Sequence, residues 1–408
     1  MLQISRDCLV NDMEYARFGE LYIIPSSNGV SRPSAVRGEG YKMINMGELF
    51  ANDIISDMPM ERVQLSSKEK EKYLVKENDL LFARQSLVAS GAGKCSIVRQ
   101  LSEETTFESH LIRVRLDEQK YNPWYYYYLF QLPYNPIKTI VNQCAQAGIR
   151  GKELAKIKIP VPPHKMQNKI ADILSRYDAL IENNNKRIKV LEQVAESLYK
   201  EWFVHFRFPG YEDVSLKEQT PGGWVISSRA TNMVCPEWWE YGALSRLGSF
   251  ARGKNITAAE MVEGDIPVVS AGLEPSGYHN AHNVTGKSLT ISASGANAGY
   301  LKYHLSDIWA ADCSYFQDDG KLWFVYNALK FLQPVISNLQ VGAAQPHVYP
   351  KNINKLCTII PDNDTVQAYC NKVEPIYGQI RILKEKNANL TKQRDVLLPR
   401  LMSGKLEV

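Results

Sequence analysis

The chain has 408 residues, is 44% hydrophobic and carries a formal net charge of +4. That length divides into two or three domains that can each bury a core, and so small a charge does not by itself demand a nucleic-acid partner. The seven cysteines are scattered without a C-x-x-C pair, no apolar run approaches the roughly 20 residues of a membrane helix, and the N-terminus lacks a signal-peptide pattern, so a soluble, cytoplasmic chain without metal or disulfides is expected.

Residues 1 to 162 read as a globular part. Short β runs, LLFAR (80 to 84), CSIVRQL (95 to 101) and SHLIRVRL (109 to 116), are separated by Gly, Pro, Ser and Asn clusters, and WYYYYLFQL (124 to 132) predicts a short helix. Arg113 and Arg115 alternate with apolar neighbours, which predicts the exposed face of a strand. Four consecutive tyrosines, Tyr125 to Tyr128, point in every direction on a helix, so packing is favoured over stacking on a base. Two strings imitate catalytic motifs. SGAGKCS (90 to 96) fails as a phosphate loop, with Val88 where glycine should stand and Cys95 where Ser or Thr should hold magnesium. NPWY (122 to 125) is similar to the loop with which adenine methyltransferases grip a flipped base; a capping and packing role for Asn122, Pro123 and Trp124 is the stronger reading.

Residues 163 to 206 predict a first long helix. From Leu174 the seam runs through Tyr177, Ile181, Asn184, Ile188, Leu191, Ala195, Leu198 and Trp202, alternating steps of three and four as a coiled coil requires. Residues 207 to 362 hold a linker (207 to 224) and a second, mildly acidic globular part. Its β runs are PVVSA, SLTISAS and GYLKYHL, and residues 321 to 336 predict helix. AHNVTGKS (281 to 288) meets the bare phosphate-loop spacing, but strand-like LTIS follows where a helix should open. His279 and His282, with no acidic partner in their segment, are expected at the surface or facing DNA.

Residues 363 to 408 predict a second long helix and a tail, with a seam through Tyr369, Val373, Ile376, Ile380, Leu383, Asn387, Leu390, Arg394, Leu397 and Leu401. Pro375 should kink or break it, so the regular part is expected from about Ile376. Antiparallel pairing of the two helices admits a register that sets Leu174 by Leu397, Ile181 by Leu390, Leu191 by Ile380 and Asn184 by Asn387. The asparagines would then satisfy each other, or simply remain solvated. A seam of about 28 residues rises roughly 42 Å, against about 34 Å for a turn of B-DNA.

The chain also repeats itself. LAKIKIPVPP (154 to 163) returns as INKLCTIIP (353 to 361), YKMINMG (41 to 47) as IPVVSAG (266 to 272), and DLLFARQSLVASGAG (79 to 93) as SLTISASGANAG (288 to 299). The expected fold is α+β: two similar mixed α/β domains separated by two long helices that form an intramolecular antiparallel coiled coil. No cofactor loop, nucleophile elbow or metal-spaced cluster accompanies the repeat.

Two globular parts, the PVPPHKMQNKIADILSRYDALIENNNKRIKVLEQVAESLYKEWF helix and the closing LTKQRDVLLPRLMSGKLEV together resemble the specificity subunit of type I restriction-modification systems. DLLFAR, SASGANAG and DIWAAD (307 to 312) resemble recurring pieces of that family's target-recognition domains. Gln167, where an acidic residue is common, and Pro375 depart from the pattern.

The resemblance implies a non-catalytic subunit whose domains each read half of an interrupted target in double-stranded DNA while the helices fix the gap. It implies no cofactor on this chain. S-adenosylmethionine would come with two modification subunits, and ATP and magnesium with two restriction subunits. Loop side chains would then make the DNA contacts. In the first part the candidates are Arg32, Arg37, Arg84, Gln85, Lys94 and Arg150; in the second they are Arg252, Lys254, Asn255, Asn297, Lys302, Gln345 and His347. For each, a solvated charge or a loop-internal hydrogen bond is the bland alternative. LYKEWFVHF (198 to 206) and VLLPRLM (396 to 402) are amphipathic beyond the seam and are the candidate docking face for the modification subunit. Rival readings are a solitary adenine-N6 methyltransferase and a coiled-coil scaffold without a DNA role.

Overall fold

The computed structural model describes residues 14–33, 36–86, 91–143, 147–219, 233–340 and 346–406. Contacts divide the chain into two units, one of residues 1–182 with 387–408 and one of residues 183–386. Each unit therefore contains part of both long helices.

In the first unit the central strands carry continuous apolar runs because both faces are covered. Leu80–Ala83 and Cys95–Val98 are buried at every position. The sheet order is Tyr22–Asn28, Leu111–Leu116, Leu80–Ala83, Cys95–Val98, Ile54–Ile55, antiparallel except for the last pair. A second sheet sets Arg37–Ile44 between antiparallel Glu61–Val63 and parallel Thr105–Phe107, and Tyr15–Arg17 pairs with Lys158–Pro160.

The second unit repeats this plan. Ala251–Arg252, Cys313–Phe316, Ser288–Ser292 and Leu301–His304 form an antiparallel sheet in that order. Ile266–Val269 lies between antiparallel Gly277–His279 and parallel Trp309–Ala310, and Glu240–Ala243 pairs with Cys357–Ile360. A glycine follows the outer strand in both units. A Cβ at Gly29 would stand 1.9 Å from the Phe107 carbonyl oxygen, and one at Gly253 would stand 2.4 Å from that of Ala311, so both sites need glycine for the chain to pass.

The long helices are His164–Phe203 and Asn363–Met402. Pro375 does not break the second one, contrary to the expectation from its ring. Val366, Tyr369, Cys370, Val373, Tyr377 and Ile380 around it all sit in the second unit's core, and that burial outweighs one lost backbone bond. The helices run antiparallel within each unit. In the first, Asp178 accepts from Arg394 at 2.5 Å, and Ile170 and Leu174 share a core with Leu398, Leu401 and Met402; in the second, the Tyr369 hydroxyl donates to the Ala195 carbonyl at 3.1 Å.

Of the seam positions, Leu174, Asn184, Ile380 and Leu383 are buried, and Ile181, Ile188, Leu191, Leu198, Asn387, Leu390 and Leu397 are half-buried. Off-seam Leu180, Val190, Val194, Ile382 and Val396 are exposed. Among the described residues no helix is long and apolar enough to cross a membrane.

Other expectations need correction. Arg113 and Arg115 are not on an exposed face. Arg113 is 3% exposed and donates to the Lys72 carbonyl at 3.1 Å, while Arg115 grips buried Asp79 through two bonds of 2.6 Å. Alternation placed them on one face correctly, but that face is covered by the segment at Lys72 and Leu74. The linker is partly structured: Phe208 enters the second unit's core and Leu216–Gln219 pairs with Met233–Pro236, while residues 220–224 lie outside the described residues. The proposed docking faces are largely internal. Tyr199, Trp202 and Phe203 pack in the second unit, and Leu398, Leu401 and Met402 in the first, because the end of each helix turns a second apolar stripe toward the globular part of the unit it lies in.

Candidate nucleic-acid interface

The strings that imitate active sites are consumed by structure. Asn122 Oδ1 accepts from the Trp124 and Tyr125 backbone N–H groups at 2.9 and 3.2 Å, with Pro123 opening the helix, so it is a helix cap. Its amide is spent on Asn168, and its backbone N–H on Gln167 Oε1 at 2.8 Å. The departure at Gln167 thus has a use, since its side chain also donates to the Pro162 carbonyl. The Tyr125 to Tyr128 rings are each at most 2% exposed. In the 281 to 288 string, Ser288 opens a buried strand and Lys287 pairs with Glu374 at 2.8 Å, leaving no phosphate cradle.

His279 is buried rather than at the surface. Its Nδ1 accepts from the Val262 backbone at 3.0 Å and its ring meets Trp309 edge-on. His282 lies 3.5 Å from Asp307, a partner outside its own segment.

Several candidates come together at one corner of each unit, where the end of a central strand meets the segment that leads to a long helix. In the first unit the Arg84 N–H donates to the His110 carbonyl at 2.8 Å and the Ile149 N–H to the Arg84 carbonyl at 2.9 Å. Gln85 pairs with Gly148, and its Oε1 lies 3.0 Å from His110 Nδ1. Arg84, Gln85 and Arg150 therefore share this corner.

The second unit builds the same corner with the same bonds. The Ala293 N–H donates to the Asp312 carbonyl at 3.3 Å, the Val348 N–H to the Ala293 carbonyl at 3.0 Å, and Ser294 pairs with His347. Ala293 thus stands where Arg84 does, Ser294 where Gln85 does, and Asp312 where His110 does. Here the Asp312 carboxylate accepts from both Ser294 Oγ and Arg252 Nη2, and the short helix Gly295–Asn297 adds Asn297. Arg252, Asn297 and His347, each a candidate DNA contact from the sequence, share this corner with Asp312 and Ser294, which like His110 were not among the candidates. DIWAAD ends on Asp312, which was the available signal.

The remaining candidates divide by what they already hold. Arg32 pairs with Glu69 at 2.6 Å, and the Ser66 backbone N–H together with Arg32 holds that carboxyl down at about 2. Arg37 is bound to Glu61 and to the Arg32 carbonyl. Lys94 is taken by Asp53 at 3.0 Å and the Phe50 carbonyl at 2.8 Å, and Lys302 by the Leu273 carbonyl at 2.8 Å. Lys254 stands over Trp309 at 6.0 Å. The side chains of Arg84, Arg150, Asn255 and Asn297 make no hydrogen bond with the described residues. Gln345 lies outside the described residues.

The family model of the type I restriction modification DNA specificity domain matches residues 14–193 and 236–392. The chain is 26% identical over 304 residues to the type I restriction enzyme MjaIX specificity subunit of Methanocaldococcus jannaschii, covering 70% of this chain and 69% of that one. To the HindI specificity subunit of Haemophilus influenzae it is 23% identical, covering 62% and 70%. The crystal structure of a type I restriction-modification S subunit from M. genitalium shares the fold at a TM-score of 0.55 and 16% identity, over 98% of both chains. With both halves of its repeat matched, the chain belongs to the type I restriction modification DNA specificity domain family.

Proposed function

We propose that this chain is the sequence-reading subunit of a type I restriction-modification complex and performs no chemistry itself. Each unit reads one part of a two-part site in double-stranded DNA through its corner, and the paired helices set the gap. The observation that carries this reading is the duplicated corner with divergent side chains: one hydrogen-bond frame presents Gln85 and His110 in one unit and Ser294, Asp312 and Arg252 in the other. A preserved frame with exchanged polar tips is what readout of two different base sequences requires. The side chains of Arg84, Arg150 and Asn255, with no hydrogen-bond partner among the described residues, are suited to phosphates or base edges.

In this reading S-adenosylmethionine belongs to two modification subunits, ATP and magnesium belong to two restriction subunits, and the complex works in the cytoplasm. Mapping N6-methyladenine in a genome expressing the chain with its modification subunit tests the proposal. A methylated motif in two parts separated by a fixed gap is expected; methylation at a single uninterrupted motif, or none that depends on this chain, would refute it.

A further inference from the structure

Resting on the DNA-reading role proposed above, we infer that Arg252, aimed by Asp312, reads a guanine in the part of the target contacted by the second unit. Arg252 ends the strand Ala251–Arg252 and stands 41% exposed at the corner, while Asp312 is only 26% exposed and faces it from the neighbouring strand connection. One carboxylate oxygen of Asp312 accepts from Arg252 Nη2 and the other from Ser294 Oγ, so Ser294 fixes the carboxylate and the carboxylate fixes the guanidinium.

A guanidinium holds five donors, and Asp312 uses one nitrogen, leaving a fork edge free. That edge matches the O6 and N7 acceptors of guanine, which no other base offers as a pair in the major groove. Without the carboxylate, a long side chain with many rotamers would have to be ordered on binding. A salt bridge serving stability alone fits less well. Arg115–Asp79 shows how the fold makes one, with the carboxylate fully buried and both nitrogens committed. At the matching corner of the first unit His110 faces Gln85 where Asp312 faces Ser294, so the carboxylate that aims an arginine belongs to the second unit's corner. Asp312 is a positioning residue, and Arg252 the one that touches the base.

The test is binding-site selection with the full chain in complex with its modification subunit, comparing wild type with R252A, R252K and D312N. Wild type should select a two-part motif containing a guanine. R252A should make that one position degenerate, losing on the order of ten- to a hundredfold discrimination there while every other position persists. R252K, which keeps the charge but not the fork, should fail to restore it. D312N should keep the guanine preference but weaken it several-fold, an intermediate effect at the same position that R252A makes degenerate. If R252A weakens all sequences alike and R252K restores binding, Arg252 is a phosphate contact and the inference falls; it also falls if R252A leaves the motif intact. A wild-type selection without a two-part motif instead removes the functional reading on which the inference stands.

Discussion

His304 stands opposite Ser288 in the second unit's main sheet and reaches diagonally to Thr290, whose Oγ1 lies 2.8 Å from His304 Nε2. Burial first, then Lys302 and Lys384, push the imidazole down to about 3 from its ordinary 6.5. A histidine whose folded value is depressed is protonated sooner in the unfolded chain. Its contribution is therefore intact above about pH 6.5 and is lost as pH falls from there toward 3, by up to about 1.4 kcal/mol per pH unit. Chemical denaturation between pH 7 and 5 should show this slope, and H304Q should flatten it; an unchanged slope would contradict the assignment. Such pairs are hidden from sequence. GYLKYHL announces a strand, but which residue opposes His304 is decided by register. Arg115 and Asp79, 36 residues apart, are the same case: alternation showed that the arginines share a face, and only the fold shows what covers it.

The long helices were the most legible elements, because a heptad seam is a local signal that packing has no need to rewrite. What failed was the reading of everything beside the seam. Aromatics off the seam at Tyr199 and Phe203 looked spare for a partner, yet a helix inside a unit has two neighbours, and Phe203 meets Phe324, Trp239 and Tyr369 of its own unit. Pro375 shows the same override from the opposite side. Local chemistry says stop, and the burial of Tyr369, Val373, Tyr377 and Ile380 says continue. The stacked Trp323 and Tyr377 rings, 3.6 Å apart, fasten the helix just past the proline. Replacing Pro375 by Ala should restore a backbone donor without disturbing that packing, since the residue itself is exposed. Allowing for the entropy proline removes from the unfolded chain, a gain of about 1–2 kcal/mol in denaturant unfolding is expected. A loss would mean that the ring does something here beyond interrupting the ladder.

At the scale of the whole chain, the duplication carried the fold. The three sequence echoes fall on equivalent elements: Arg37–Ile44 and Ile266–Val269 each lie between one antiparallel and one parallel neighbour, Leu80–Ala83 and Ser288–Ser292 each stand inside the main sheet, and Lys158–Pro160 and Cys357–Ile360 each pair with an early strand of their own unit. The candidate site was legible only in outline. Gly- and Ser-containing segments pointed to Arg84, Gln85, Arg150, Arg252, Asn297 and His347, which the fold gathers at the two corners, whereas Arg32, Arg37 and Lys94, chosen by the same signal, are bound to carboxylates contributed from distant sequence.

The central claim is that the two units read separate parts of one target, and exchanging one unit tests it most directly. Residues 207–362 would be replaced by the corresponding segment of a relative with a different target, leaving both long helices in place, and the methylated motif mapped again. The account predicts that one half of the motif changes to that of the donor while the other half and the gap stay as they were. A chimaera that folds and methylates yet changes both halves, or neither, would contradict it.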